Sequence, residues 1–235
     1  MPSFIKRVSR LFGLEIKRCA PGIDLHTDLR SICASGKGNC IIDAGANIGQ
    51  SALTFHGLFP EAEIHCFEPS PSTYAKLEAA VKPYSKIHTF QSALGSAPGT
   101  AVLHQGVNSE LNSLLAPSAH RTHQFTDKIE VPVLTIDDYL AREQISAVSL
   151  LKSDCQGYDI EVLQGASKSL ANGVVHSVLA EVDFTPMYEG QRLFIDIYNY
   201  LASVGFGLYA LYPMSRMDDG RIAEADALFV GRSKR

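Results

Sequence analysis

Ile41-Ile42-Asp43-Ala44-Gly45-Ala46-Asn47-Ile48-Gly49 is an apolar run that carries one carboxylate and ends in a turn with two glycines. A short β-branched run of this kind reads as a buried strand, and the pattern over Gln50–Phe59 that follows reads as a helix. Strand, turn and helix in that order form half of a β-α-β unit. In open α/β sheets the crevice beyond the carboxyl ends of the strands collects ligands, and glycine lets the backbone approach them closely. A ligand is therefore expected at residues 45–49.

The next strand-like run, Ile64-His65-Cys66-Phe67-Glu68-Pro69, ends in a carboxylate 25 residues after Asp43. An acid about 20 residues on is the usual acceptor for the hydroxyls of a ribose in such a unit. A nicotinamide cofactor would need the G-x-G-x-x-G turn, whose second glycine admits a pyrophosphate. Here Gly45 and Gly49 are present, but Asn47 and Ile48 stand between them. A cofactor with a ribose and no pyrophosphate fits better. Asp43 repels phosphate and suits the ammonium and sulfonium of S-adenosylmethionine.

Outward from these motifs, strands are expected at Asn39–Ala44, Glu63–Phe67, Ile87–Gln91, Ala147–Ser153 and Val174–Val182. Helices are expected at Gln50–Phe59, Ser72–Val81, Ile136–Arg142, Ile160–Leu170 and Arg192–Val204. Phe206–Tyr212 and Ala225–Val230 read as a closing hairpin around Gly220. Between Gly99 and Val133 the alternation weakens, and Thr100–His104 and Lys128–Val133 read as short strands within an insertion.

The 235 residues, 46% hydrophobic and 20% charged, suffice for one folded α/β domain behind an N-terminal helical extension over residues 1–38. A net charge of -4 lacks the basic excess of a phosphate-backbone binder, so nucleic acid is not an expected partner. Cys19, Cys33, Cys40, Cys66 and Cys155 are scattered and never spaced C-x-x-C, which suits a reduced, cytoplasmic setting. Residues 4–18 mix Phe4, Val8, Leu11 and Phe12 with Lys6, Arg7, Arg10, Lys17 and Arg18. Such a basic amphipathic helix packs on the main domain or lies peripherally on an anionic membrane surface.

Four segments together resemble the FkbM family of class I S-adenosylmethionine-dependent methyltransferases: Ile42–Gly49, Phe67-Glu68-Pro69, Leu151–Ala166 and Asp226–Val230. The resemblance spans residues 40–230, makes residues 39–235 the methyltransferase domain, and implies a Rossmann-like, doubly wound sheet. That sheet would have seven strands, mostly parallel with an antiparallel last strand, and helices on both faces. The implied activity is O-methylation of a hydroxyl on a sugar or related natural-product small molecule. By the same resemblance, Asp43, Gly45, Ala46, Asn47 and Gly49 surround the methionine part of the cofactor. Glu68 holds the ribose, and Pro69, Ser70, Ser92 and Ala93 border the adenine. One departure stands out. The family's Asp-x-Glu-Gly is Asp154-Cys155-Gln156-Gly157 here, and an amide is never a base and ligates metals weakly, so no metal site is expected.

An alcohol acceptor must lose its proton during methyl transfer. Asp154, at the end of the fourth strand, is the first candidate for general base, followed by Glu181 and Asp183 at the end of the fifth. His120 or His123 could fold over the acceptor from the insertion, whereas His65 and His176 sit in strand-like runs and should be packed. Thr185–Gly190, with Tyr188, is the expected acceptor-facing loop. A non-catalytic cofactor-binding module and a nicotinamide-dependent dehydrogenase are the competing functions, the second disfavoured by the turn.

Overall fold

The quoted stretch folds as a strand in which all five residues from Cys40 to Ala44 are buried. The structure, a computed structural model, describes residues 20–35, 38–119 and 124–231. The basic segment 4–18, Cys19, His120 and His123 lie outside those residues. In chain order the first elements are α1 (Leu25–Ser35), β1 (Cys40–Ala44), α2 (Gln50–Leu58), β2 (Glu63–Phe67), α3 (Pro71–Val81) and β3 (Ile87–Phe90). The middle of the chain forms β4 (Ala93–Leu94), β5 (Gly99–Gly106), β6 (Phe125–Leu134) and α4 (Ile136–Arg142). There follow β7 (Leu150–Ser153), α5 (Asp159–Gln164), α6 (Ser167–Ala171), β8 (Ser177–Asp183), α7 (Phe194–Ser203), β9 (Phe206–Arg216) and β10 (Ile222–Gly231).

Seven strands make one sheet in the order β3-β2-β1-β7-β8-β10-β9. Strands β3 through β8 in that order are parallel, and the last strand in the chain, β10, runs antiparallel to both neighbours. The expected doubly wound sheet is therefore present. Alternation along β1 explains the two layers of helices. Cys40, Ile42 and Ala44 join one apolar cluster with Tyr139, Leu163 and Leu201 from α4, α5 and α7. Ile41 points the other way, into a cluster with Leu29, Phe55 and Leu77 from α1, α2 and α3. The chain leaves β1 toward β3 on one side and returns to β7 on the other, so the strand order reverses between β1 and β7. Such a reversal opens a crevice at the carboxyl ends of the strands.

Two elements differ from expectation. The helix expected over Ile160–Leu170 is broken into α5 and α6 at Gly165. A Cβ on Gly165 would sit 2.0 Å from the carbonyl oxygen of Gly95, so the backbones meet where a side chain would keep them apart. The insertion is more ordered than its sequence suggests, because β4, β6 and β5 pair as a separate three-stranded sheet. Its core is small, with Ala93, Leu103, Val131 and Val133 buried, and this leaves the alternation of β5 and β6 weak in sequence.

Candidate active site

A cleft of about 640 Å³ lies at the carboxyl ends of β1, β2, β7 and β8, closed by α1, the start of β10 and the segment around Ser109–Leu114. Gly45 makes it possible. Its φ is +76°, and a Cβ there would lie 1.9 Å from the backbone oxygen of Asp154, so only hydrogen lets the turns after β1 and β7 touch. Asn47 also adopts a left-handed backbone, and its Oδ1 accepts a 2.8 Å bond from Ser109 Oγ that draws the insertion over the turn.

Of the residues expected around the cofactor, Gly45, Ala46, Asn47, Glu68, Pro69 and Ala93 line the cleft. Asp43, Gly49, Ser70 and Ser92 do not. Asp43 is fully buried beneath the floor, where Oδ2 accepts from Ser51 Oγ at 2.6 Å and Oδ1 lies 3.2 Å from Lys152 Nζ. Lys152 is thus the cation that Asp43 faces, with the carboxylate below the residues that line the cleft. Gly49 turns the chain into α2. Ser70, fully buried, donates its backbone N–H to Glu68 Oε1 at 2.8 Å and so aims that carboxylate. Ser92 is buried, its Oγ without a hydrogen-bond partner among the described residues. Burial pushes the Glu68 carboxyl up to about 7 against the pull of the Ser70 and Asn47 amides.

Among the candidate bases, Asp154 and Glu181 line the cleft together and Asp183 does not. Asp183 is buried and accepts from Gln191 Nε2, while Gln191 Oε1 accepts from the backbone N–H groups of Met187 and Tyr188. It anchors the loop after β8 instead of facing an acceptor. Tyr188, in the loop expected to face the acceptor, is 3% exposed and is not among the residues that line the cleft. His65 is packed as expected, its Nδ1 2.5 Å from Tyr139 Oη, and burial with the neighbouring His88 lowers its pKa to about 4. Burial and nearby Asp159 and Asp154 push the Cys155 thiol far up.

Lys152 is the residue whose role the sequence reading missed. Its Nζ lies 3.2 Å from Asp43 Oδ1, 3.2 Å from Asp154 Oδ2 and 3.2 Å from the Gly45 carbonyl oxygen. Burial alone would depress this ammonium, but Asp154 and Asp43 raise its pKa, so it stays charged. Burial likewise favours a protonated Asp154, yet Lys152 and the hydrogen bonds from Glu181 and Gln156 together outweigh it and hold the carboxyl below the usual carboxylate range. Glu181 goes the opposite way, pushed well up by burial and by the charge of Asp154, to which it is hydrogen bonded. The two acids thus divide one proton between them, with Asp154 ionised. Asp226 on β10 feels the same field and is raised to about 6 by burial and by Asp154. An isolated lysine inside the apolar run Leu150-Leu151-Lys152-Ser153 was the available signal, because a buried lysine needs an acid beside it.

A strand-end cleft with a buried second-strand acid and no pyrophosphate turn is the arrangement of a methyltransferase, and a family model described as the Methyltransferase FkbM domain matches residues 43–208. The chain belongs to the FkbM methyltransferase family. Like other FkbM members it uses S-adenosylmethionine as its methyl donor. It is 26% identical over 215 residues to the 2-O-methyltransferase NoeI of Sinorhizobium fredii, an alignment covering 87% of this chain and 86% of that protein. It is 29% identical over 150 residues to the hexuronic acid methyltransferase AglP of Haloferax volcanii, covering 60% and 56% respectively. Against the other curated relatives it matches, the chain likewise spans 57% to 60% of their length. The solved structure of an rRNA methylase from Streptococcus thermophilus shares the fold, with a TM-score of 0.53 over 92% of this chain and all of that one, at 10% identity.

The FkbM cleft fits its cofactor on its own terms. Glu68 carries a buried carboxylate with capacity for further donors, which two ribose hydroxyls can supply. The close turn at Gly45 leaves backbone at the cleft wall where a side chain would intrude. Leu25, His26 and Leu29 of α1 complete that wall, a contribution invisible in sequence because nothing local places this helix over the strand ends.

Proposed function

We propose that the chain O-methylates a hydroxyl group on a sugar or related natural-product small molecule. The observation that supports this reading most is Asp154, an ionised carboxylate fixed by Lys152 at the wall of the same cleft as Gly45 and Glu68. When bound, S-adenosylmethionine supplies a methyl group on a sulfonium sulfur that leaves as neutral S-adenosylhomocysteine. Asp154 accepts a hydrogen bond from the acceptor hydroxyl and aligns its oxygen for in-line attack. Asp154 would take the proton of that hydroxyl, which becomes strongly acidic once its oxygen receives the methyl group that the cofactor would supply. A carboxylate with a low pKa suffices for that transfer, and Lys152 keeps it ionised beforehand.

The charge of the lining narrows the acceptor. Asp154, Glu181, Glu224 and Asp226 meet at one end of the cleft, and the ammonium of Lys152 is already engaged. A neutral polyol is admitted there, whereas the like charge of a uronic acid is disfavoured. The relative named 2-O-methyltransferase is in keeping with hydroxyl methylation, and the hexuronic acid relative marks the substrate class from which this cleft should depart. Incubation with methyl-labelled S-adenosylmethionine, neutral glycosides, uronic acids and phenols is the test. Labelled ether on a neutral glycoside supports the reading. Label on nitrogen or carboxyl oxygen, or no S-adenosylhomocysteine release with any acceptor, contradicts it.

A further inference from the structure

We infer that Gln156 is a positioning residue, whose side-chain amide, aimed by Tyr188, clamps Asp154 and Glu181 into a single carboxyl pair facing the acceptor. Gln156 Nε2 donates to Glu181 Oε2 at 3.1 Å and lies 3.4 Å from Asp154 Oδ1. Its Oε1 accepts from Tyr188 Oη at 3.1 Å. All the capacity that matters is thereby used, with two N–H donors toward two acids and the carbonyl toward a hydroxyl. The two acids set which end of the amide is nitrogen, since the opposite orientation would turn the carbonyl onto both of them, and Tyr188 Oη, which also donates to the Leu111 carbonyl oxygen at 3.3 Å, meets the other end.

The rest of the molecule is arranged to keep the amide there. Gln156 itself adopts φ +51°, a left-handed backbone uncommon for a side-chain-bearing residue, and its carbonyl oxygen accepts from Ser113 Oγ at 2.7 Å. Tyr188 is held in turn by Gln191, which Asp183 anchors on β8. The loop after β8 and the insertion therefore both converge on one residue, the first on its side chain and the second on its backbone carbonyl. A glutamate at this position would add a third carboxyl, and when ionised a second negative charge with no donor, whereas the amide satisfies both acids without changing their total charge.

The charged and titratable groups around the pair come from five elements and the turn after β7. Lys152 on β7 and Asp43 on β1 form the ion network below it, Asp159 stands at the start of α5, Asp183 on β8, and Asp226 and Glu224 on β10, with Cys155 between the acids in the turn. Among the described lining residues of this end, the ammonium of Lys152, the carboxyl of Glu181 and, by a smaller share, the amide of Gln156 favour an ionised Asp154. Removing the amide should therefore raise the lower transition of the pair, and adding a charge should raise it further.

The inference rests on Asp154 being the acceptor-facing base, but its test needs no acceptor and no cofactor. Side-chain carboxyl carbons of 13C-labelled protein are titrated by NMR in the wild type, Gln156→Leu, Gln156→Glu and Tyr188→Phe, with circular dichroism checking the fold. The expected result is a lower pair transition that moves up by about one pH unit in Gln156→Leu, more in Gln156→Glu, and in the same direction by less in Tyr188→Phe. A folded Gln156→Leu or Tyr188→Phe variant with both transitions where the wild type has them would overturn the inference, because a merely structural glutamine would lower the melting temperature and leave the titration in place. Should Gln156→Leu fail to fold, Tyr188→Phe carries the same decision. An unshifted titration leaves hydroxyl methylation standing, and a negative acceptor screen leaves the titration standing, so the two failures are distinguishable.

Discussion

Asp154 and Glu68 carry opposite electrostatic burdens within one cleft, and each makes a distinct prediction. Replacing Asp154 with asparagine keeps the shape and removes the charge, so turnover should fall by about 10²–10⁴-fold while cofactor affinity changes little. Asp154 does not cap the helix that follows, since α5 has Tyr158 at its N-cap and no side-chain cap hydrogen bond, while Asp159 Oδ1 accepts from Ser153 Oγ at 2.5 Å and from the Cys155 backbone N–H at 3.1 Å in the turn before it. Single-turnover rates across pH at saturating cofactor measure the effect, and a variant within a few-fold of wild type would move the base elsewhere. Glu68 is raised by burial to about 7, from an ordinary value of 4.5. Its folded form holds a proton that the unfolded chain releases, so its contribution to stability is fully present below about 4.5 and declines as pH rises through 7. Apo Glu68→Gln should therefore gain stability over the wild type above pH 7, on the order of 3 kcal/mol, and thermal melts at several pH values check this. Ribose hydroxyls need the ionised acid, so wild-type cofactor affinity should weaken as pH falls below 7. Both positions were legible in sequence, because a carboxylate ending an apolar strand has few other reasons to be there. Their protonation states were not, because these depend on Lys152, Asp159 and Asp226 arriving from other elements.

At the scale of elements, β1 and β7 are joined by more than backbone hydrogen bonds. Lys152 on β7 neutralises Asp43 on β1 in a setting where Asp43 is fully buried. Lys152→Met leaves that acid uncompensated and should cost about 3–5 kcal/mol. Asp43→Asn in the same background should restore part of the loss, since the uncompensated charge is then gone. Urea denaturation of the single and double variants measures both, and a Lys152→Met protein as stable as the wild type would show the ion pair to be dispensable. The parallel strands were readable because burial on both faces makes them continuously apolar, as in Cys40–Ala44. Strand β4 was not, since Ala93-Leu94 is two residues long and pairs only through β6. The break between α5 and α6 was hidden for a related reason. Gly165 meets Gly95, a residue 70 positions away, and no local pattern reports such a contact.

At the scale of the whole molecule, the reversal of strand order between β1 and β7 places Gly45, Glu68, Asp154 and Glu181 around one cavity, though they come from four separate strand ends. Motif order along the chain made that gathering legible. The walls were not, because α1, Ser109–Leu114 and the loop carrying Tyr188 reach the cleft through tertiary contacts alone. Among the described residues no helix is long and apolar enough to cross a membrane. The central claim is that this cavity holds the methyl donor with Glu68 on its ribose, and calorimetric titration of S-adenosylmethionine into the wild type and Glu68→Ala tests it most directly. Saturable binding to the wild type, weakened by about 1–3 kcal/mol, or about 5- to 150-fold, in a folded variant, is the result the account predicts. Equal affinity in the two proteins would contradict it.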